Sequence, residues 1–149
     1  MKKVFAACAL GLFVVGAGAD EITYREHIRP LWLDRCERCH GSDAPYLGDF
    51  EEDRKRYEAD DKGPRMDTYA DLAFFASWPD TGALMRRLDD GSNTANGKPG
   101  NMYRELGRSE EERQANLKLF KRWVGKKAWT MKRPAEISKE ELLRFKLAY

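Results

Sequence analysis

Aliphatic residues that branch at the β-carbon are almost missing from this chain, and this scarcity constrains its fold more than any other feature. Beyond residue 19 the sequence holds four of them: Ile22, Ile28, Val124 and Ile137. Strands are enriched in such residues because the branched side chains pack well on a pleated surface. We therefore expect no sizeable sheet, and helices must supply the core.

The first nineteen residues have the features of an export signal. A pair of lysines opens the chain, an apolar run extends from Val4 to Val15, and residues 17–19 form a small-residue cleavage site. The apolar run is shorter than the roughly 18–20 residues that a membrane-spanning helix needs. We predict a cleaved secretory signal peptide at 1–19, a mature domain at 20–149, export to the periplasm, and no membrane span after cleavage. An uncleaved anchor is the alternative.

The charge balance argues against nucleic acid as a partner. The whole chain has 27 basic and 25 acidic residues. The predicted signal holds two lysines and no acid, so the mature chain keeps 25 of each and has no net charge. Nucleic-acid-binding domains normally carry a basic excess.

Two cysteines remain after the signal, Cys36 and Cys39, and His40 follows directly, whereas Cys8 leaves with the signal. This spacing occurs in redox disulfides, in metal sites and in c-type haem attachment. A thioredoxin-like disulfide needs strands. A zinc site needs four ligands, and the only other mature histidine is His27. The sequence Cys-Glu-Arg-Cys-His matches the pattern of haem attachment.

The spacing of this motif suits a covalent haem. Positions three apart lie on one face of a helix, so Cys36 and Cys39 can both form thioethers with the two vinyl groups of one porphyrin. His40 then reaches under the ring as the proximal iron ligand. Export agrees with this chemistry, because the thioethers are made outside the bacterial cytoplasm.

With this motif the chain resembles the class I monohaem cytochromes c, from Ile22 to about Trp129. The resemblance rests on a lead-in helix ending in the motif, a methionine-bearing loop and a C-terminal helix. It implies an all-α fold, a small helical domain wrapped around one covalent haem c. The segment 41–95 would enlarge its centre, and residues 126–149 would form a C-terminal helical extension. In that family a histidine and a methionine hold the iron from opposite sides, and the protein exchanges single electrons with redox partner proteins.

Met102 is the expected distal iron ligand. It lies in a turn-rich loop, residues 97–103, that can hold extended backbone against a flat ring. Seven residues later Ser109 begins a capping box that precedes an amphipathic helix. A loop methionine followed by an amphipathic terminal helix is the order seen in the resembled family.

Other residues could also hold the iron. Met85 reads as a helical core residue and Met66 as a loop or helix-start residue, since methionine often fills gaps in a core. Met131 follows the terminal helix and is the second choice among the methionines. His27 would give a bis-histidine haem of lower potential, although its place on the lead-in helix favours the wrong side of the ring. An open iron position is the remaining alternative.

Capping signals predict where the helices begin. The lead-in helix starts after Thr23, and Pro30 kinks or restarts it. Two short helices are expected at 67–78 and 80–89, with Asp67 and Asp80 as caps and Gly91 ending the second. A third capping box at Ser138 begins a helical pattern that continues to Leu147. The charge-dense segment 49–61 is expected to be a solvated helix or loop.

The charge is unevenly distributed, although it cancels. Residues 41–62 carry eight acids and four bases, and residues 113–133 carry eight bases and no acid. Helix ends account for part of this pattern. A molecular dipole that orients the protein on a redox partner is the second explanation. The tail after residue 125 either folds back on the domain or docks a partner.

The first functional hypothesis is a periplasmic single-electron carrier with a His/Met-ligated haem, which is not itself an enzyme and has no catalytic residues. The second is a haem-bearing electron-transfer subunit of a larger oxidoreductase. The third is a five-coordinate haem sensor or peroxidase, against which the lack of a titratable catalytic pair argues.

Overall fold

The computed structural model describes residues 21–149, and every regular element in that range is helical. The predicted all-α class is confirmed, and the predicted signal peptide lies outside the described residues. The first element of the described residues is a π-type turn at Tyr24–Ile28, and short 3₁₀ turns follow at Tyr103–Leu106 and Pro134–Glu136. The α-helices are α1 Arg29–Arg35, α2 Glu37–His40, α3 Leu47–Glu52, α4 Arg54–Ala59, α5 Tyr69–Ala76, α6 Ala83–Leu88, α7 Glu110–Val124 and α8 Lys139–Leu142.

The lead-in segment starts and restarts where the sequence predicts. The hydroxyl of Thr23 accepts a hydrogen bond of 3.3 Å from the backbone N–H of Glu26, so Thr23 caps the π-type turn. Pro30 lies in the first turn of α1, where its missing N–H costs nothing. The Cys36 N–H still donates to the Trp32 carbonyl at 2.7 Å, so the backbone passes from α1 towards α2 without losing this bond.

The start of α5 differs from the prediction by one residue. Thr68, rather than Asp67, is its N-cap, and Thr68 and Asp71 form a reciprocal capping box. Asp67 is instead held by Arg65, with an Nε to Oδ1 distance of 2.6 Å. The sequence reading was wrong here because an ion pair occupies the carboxylate.

The bounds of α6 also differ from the prediction. Gly82, with φ of 80°, precedes the helix, and Asp80 instead faces Arg86 at 3.5 Å. Asp89, rather than Gly91, is the C-cap. The carboxylate of Asp89 has partners in the following loop, which sequence reasoning had no means to find.

The charge-dense segment forms two short solvated helices, α3 and α4. Most of its side chains are exposed, and Phe50 is its one buried residue among positions 49–61. Asp53 caps α4 by accepting from the Arg56 N–H at 3.3 Å. This agrees with the expectation of a solvated helical segment.

The core lies where the lead-in segment meets α5, α6 and α7. Ser109 caps α7 as predicted, accepting from the Glu112 N–H at 3.2 Å. One face of α7 is buried, and each such side chain adds roughly 1.5–3 kcal/mol through burial. The fully buried large apolar residues of the whole core are Ile28, Trp32, Leu72, Met85, Leu106, Leu117, Phe120, Trp123 and Val124.

The C-terminal tail folds back on the domain, but less of it is helical than predicted. Helix α8 ends at Leu142, and the pattern predicted to continue to Leu147 forms no helix. The Lys146 and Leu147 N–H groups instead donate to the carbonyls of Val124 and Trp123, each at 3.0 Å. The last carbonyls of a helix have no partner within the helix, so the end of α7 recruits the tail.

The tail also reaches the lead-in segment. The Tyr24 N–H donates to the Ala148 carbonyl at 2.7 Å, and the Arg25 N–H donates to the Tyr149 carbonyl at 3.1 Å. The two ends of the described chain are therefore joined by backbone hydrogen bonds. Between residues 21 and 149, no helix combines the length and apolarity needed to cross a membrane.

Candidate functional site

The His40 imidazole is oriented by a backbone carbonyl. Its Nδ1 lies 2.8 Å from the Pro64 oxygen, so Nδ1 carries the hydrogen and donates it. Nε2 is then left with its lone pair for a metal. Burial lowers the pKa of His40, and the hydrogen bond to Pro64 opposes that shift. Burial therefore favours the neutral, ligating form of the ring.

Gly63 is a functional position that sequence reasoning missed. Its N–H donates to the Cys39 carbonyl at 2.9 Å, which brings its Cα against the imidazole. A β-carbon here would lie 2.2 Å from Cε1 and 2.7 Å from Nδ1 of His40. Only glycine allows this approach, and a glycine inside a charged segment gave no signal of it.

Two further backbone hydrogen bonds hold the same segment on the motif. The Met66 N–H donates to the His40 carbonyl at 3.0 Å, and the Arg65 N–H donates to the Pro45 carbonyl at 2.7 Å. Residues 63–66 therefore run along the motif from Cys39 to Pro45. Met66 lies in this loop, which is one of the two placements that the sequence predicted for it.

Cys36 and Cys39 are both half-buried and form no disulfide with each other. The Cys39 N–H donates to the Cys36 carbonyl at 3.2 Å, which keeps the two residues within one helical turn. Burial, together with the nearby Cys39 and Glu105, raises the pKa of the Cys36 thiol to about 12. An unmodified thiol at this position is therefore protonated and a poor ligand for a free metal ion.

Met102 lies at the end of a loop that is attached to α6. Its N–H donates to the Arg87 carbonyl at 3.0 Å, and the side chain is half-buried against the core. Two residues earlier, the Gly100 N–H donates to the Asp89 carbonyl at 2.8 Å. A β-carbon on Gly100 would lie 2.3 Å from the Arg87 carbonyl oxygen, so this approach also requires glycine.

Electrostatic effects link the loop of Met102 to the cysteine–histidine motif. Burial and Cys39 raise the pKa of Cys36 most, and the charge of Glu105, whose N–H donates to the Met102 carbonyl, raises it as well. Burial lowers the pKa of His40 most, and the charge of Arg87 lowers it as well. Cys36 and Met102 also pack against the same hydrophobic core.

The other predicted ligands have different environments. Met85 is fully buried in the core on α6. The His27 Nδ1 accepts a hydrogen bond of 3.2 Å from the Thr23 N–H, within the lead-in segment. Met131 is half-buried beside the loop at 94–100 and Arg86.

The side chains at the motif fit a covalent haem. Two thiols within one turn match two vinyl groups, and an imidazole with Nδ1 engaged leaves one nitrogen for iron. The Nε1–H of Trp32, one helical turn before Cys36, is buried without a hydrogen-bond partner among the described residues. In residues 21–149, no cluster of three or more His, Cys, Asp or Glu side chains could hold a free metal ion.

Comparison with known proteins identifies the family of this chain. The model of the PccH cytochrome c family matches residues 23–149. The chain belongs to the PccH cytochrome c family. A solved structure, described as that of monoheme cytochrome PccH from Geobacter sulfurreducens, is 51% identical in sequence, with a TM-score of 0.81. The match covers 87% of this chain and 100% of that one. No curated protein gives a match.

Membership in the PccH cytochrome c family establishes the cofactor and the class of function. The family carries one covalently bound haem c with its iron, and its members are electron-transfer proteins rather than enzymes. The predicted monohaem cytochrome family is confirmed. The match also extends to residue 149, whereas the resemblance seen in the sequence ended near Trp129. The tail is therefore part of the matched PccH family region.

Proposed function

We propose that the protein is a periplasmic single-electron carrier whose haem c is attached through Cys36 and Cys39, with its iron held by His40 and Met102. When bound, haem c supplies an iron that exchanges one electron with a redox partner. The observation that carries the proposal is an oriented imidazole in the cysteine–histidine motif, together with a loop methionine that packs against the same core as Cys36. The export signal predicted at residues 1–19 supports the periplasmic location.

Groups of the protein itself would keep His40 and Met102 in place when the iron changes its charge. The Pro64 carbonyl fixes the orientation of the His40 ring, and Gly63 allows the backbone to pack against it. Backbone hydrogen bonds to Asp89 and Arg87 hold the loop of Met102. Ligands that do not move make electron transfer fast, because little reorganisation accompanies it. A thioether ligand also stabilises the ferrous state relative to a second imidazole.

The absorption spectrum of the purified ferric protein tests the ligand assignment. We expect the long-wavelength charge-transfer band of methionine sulfur on ferric haem in the wild type. Met102→Ala should abolish this band and leave the haem covalently attached, because both cysteines remain. Met131→Ala and Met66→Ala are matched controls that should keep it.

Three outcomes would contradict parts of the proposal. A band that survives Met102→Ala but is lost in one of the controls would move the assignment to that methionine. A high-spin wild-type spectrum that shifts with cyanide would indicate an open iron and end the His/Met proposal. Recovery of the native protein in a larger complex on size exclusion would show an oxidoreductase subunit rather than a free carrier.

A further inference from the structure

Asp89 is the one fully buried ionisable side chain among residues 21–149. It ends α6, and it lies thirteen residues before Met102. A charged carboxylate in a protein core is costly unless it is paired or hydrogen-bonded. The burial of the Asp89 carboxylate therefore requires hydrogen-bond partners, and α6 alone does not supply them.

The carboxylate of Asp89 accepts four hydrogen bonds. Oδ1 accepts from the Gly91 N–H at 2.9 Å and from the Asn93 N–H at 3.1 Å. Oδ2 accepts from Asn93 Nδ2 at 2.8 Å and from Trp129 Nε1 at 2.8 Å. Burial raises the pKa of Asp89, but the hydrogen bonds from Trp129 and Asn93 outweigh it and hold this pKa below its ordinary value.

These contacts bring both ends of one loop to a single residue. The side chain of Asp89 binds the start of the loop at Gly91 and Asn93, and its carbonyl accepts from the Gly100 N–H at 2.8 Å near the end. Thr94 Oγ1 closes the loop internally by donating to the Lys98 carbonyl at 2.9 Å. The path of the backbone into Met102 therefore depends on Asp89.

Trp129 connects this loop to the other end of the domain. It follows α7, forty residues beyond Asp89, and its indole N–H is the long-range donor to the carboxylate. The ammonium of Lys121, on the last turns of α7, lies 5.5 Å from the centre of the Trp129 ring. The same ammonium lies 3.7 Å from Oδ1 of Asp90, so the terminal helix contacts both the indole and the start of the loop.

We propose that Asp89 is a positioning residue for the iron ligand Met102, and that Trp129 supports it through its Nε1–H. The inference rests on the proposed His40/Met102 ligation. Each hydrogen bond to the carboxylate reduces the fraction of time in which the loop opens and the thioether leaves the iron. Weakening this network makes the iron accessible to external ligands without unfolding the domain.

The rate at which cyanide binds to the ferric holoprotein measures loop opening directly. We expect Trp129→Phe to raise this rate about tenfold, since it removes one hydrogen bond to a buried charge. Asp89→Asn should raise it further, because the amide places an N–H₂ group against N–H donors. In both variants the charge-transfer band of methionine sulfur should persist at low temperature.

Trp123→Phe is the matched control. It removes the same indole N–H from a buried tryptophan, but the partner of that group is the Ala148 carbonyl at 3.0 Å in the tail. Far-UV circular dichroism gives the midpoint of thermal unfolding for each variant. Trp123→Phe should lower this midpoint at least as much as Trp129→Phe and leave the cyanide rate unchanged.

The outcomes separate this inference from the proposed function. Equal cyanide rates in wild type, Trp129→Phe and Asp89→Asn would overturn the role of Asp89, while the band stays with Met102. Equal acceleration by Trp123→Phe would also overturn it, because general loss of stability would then explain the effect. Absence of the band from the wild type would instead defeat the ligation itself. Should Asp89→Asn fail to fold, Trp129→Phe decides alone.

Discussion

The two sides of the proposed haem site are built in different ways. The His40 side consists of residues 36–40 and 63–66, and backbone hydrogen bonds hold its parts together. The Met102 side, residues 89–102, depends on one buried side chain and on a tryptophan forty residues further along. The first side is a short motif completed by the backbone of residues 63–66. The second side also has backbone hydrogen bonds, from Gly100 and Met102, but its buried carboxylate is paired with a side chain from a distant segment.

This difference predicts how substitutions on each side affect the iron ligands and the attachment of the haem. Damage to the His40 side should affect the proposed proximal ligand, which is adjacent in sequence to Cys39. Damage to the Met102 side should affect only the proposed loop ligand and leave the haem attached. On both sides a glycine stands where a β-carbon would collide with its neighbour, Gly63 on the first and Gly100 on the second, so the same substitution can be made on both.

Gly63→Ala should have the largest effect. Its β-carbon would lie 2.2 Å from Cε1 of His40, so the imidazole or the backbone must move. Overpacking of this kind costs about 3 kcal/mol of unfolding free energy. Denaturant unfolding should show this loss, and the spectrum should gain a high-spin component.

Gly48→Ala is the control for that substitution. No atom lies within 4 Å of a β-carbon there, and Gly48 is in α3. Alanine should raise the unfolding free energy by about 0.5–1 kcal/mol, since glycine is a poor helix former. Equal destabilisation at both positions would show that the contact with His40 is not the cause.

Gly100→Ala should have an intermediate effect confined to the Met102 side. Its β-carbon would lie 2.3 Å from the Arg87 carbonyl oxygen, which accepts the Met102 N–H. We expect a loss of about 2 kcal/mol and a weaker methionine–iron band. Mass spectrometry should still show covalent haem. Loss of the covalent haem would contradict the independence of the two sides.

The smallest effect is a pH dependence due to Asp90. Burial raises its pKa, but hydrogen bonds from Ser92 and Gln114 outweigh this and lower it to about 2. The ionised carboxylate therefore stabilises the fold above about pH 4, and this contribution is lost as the pH falls from about 4 towards 2. It amounts to about 1 kcal/mol after screening by water.

Asp90→Asn should remove that acid-dependent loss. Unfolding free energy measured at pH 5 and pH 3 should differ less in the variant than in the wild type. The cyanide rate should change less than in Trp129→Phe, because the Asp90 side chain makes none of the hydrogen bonds to the Asp89 carboxylate and loses only its ion pair with Lys121, at 3.7 Å. A slope equal to that of the wild type would assign the acid sensitivity to another carboxylate.

Local signals predicted much of the fold and failed at particular residues. Thr23, Ser109 and Ser138 cap helices as their neighbours in sequence predict. Asp67 and Asp80 look like caps but are engaged by arginines instead. A capping signal involves three or four consecutive residues, whereas the competing ion pair depends on side-chain positions that only the folded chain defines.

Some residues of the candidate site were likewise found from the sequence, and others were not. The motif at Cys36 to His40 and the methionine at 102 were both found from the sequence, and their ligation of iron remains a prediction. Gly63 and Asp89 were not found. Gly63 matters because of its distance to an imidazole, and Asp89 because an indole forty residues away donates to it.

The sequence by itself determined the helical class, the pair of cysteines on one turn and the histidine beside them. These properties depend on intrinsic propensity and on spacing within a few residues. The tertiary structure alone decided that a buried carboxylate organises the loop of Met102, and that the tail completes the end of α7. Buried polar groups must find partners wherever the fold supplies them, and such partners are not written in local sequence.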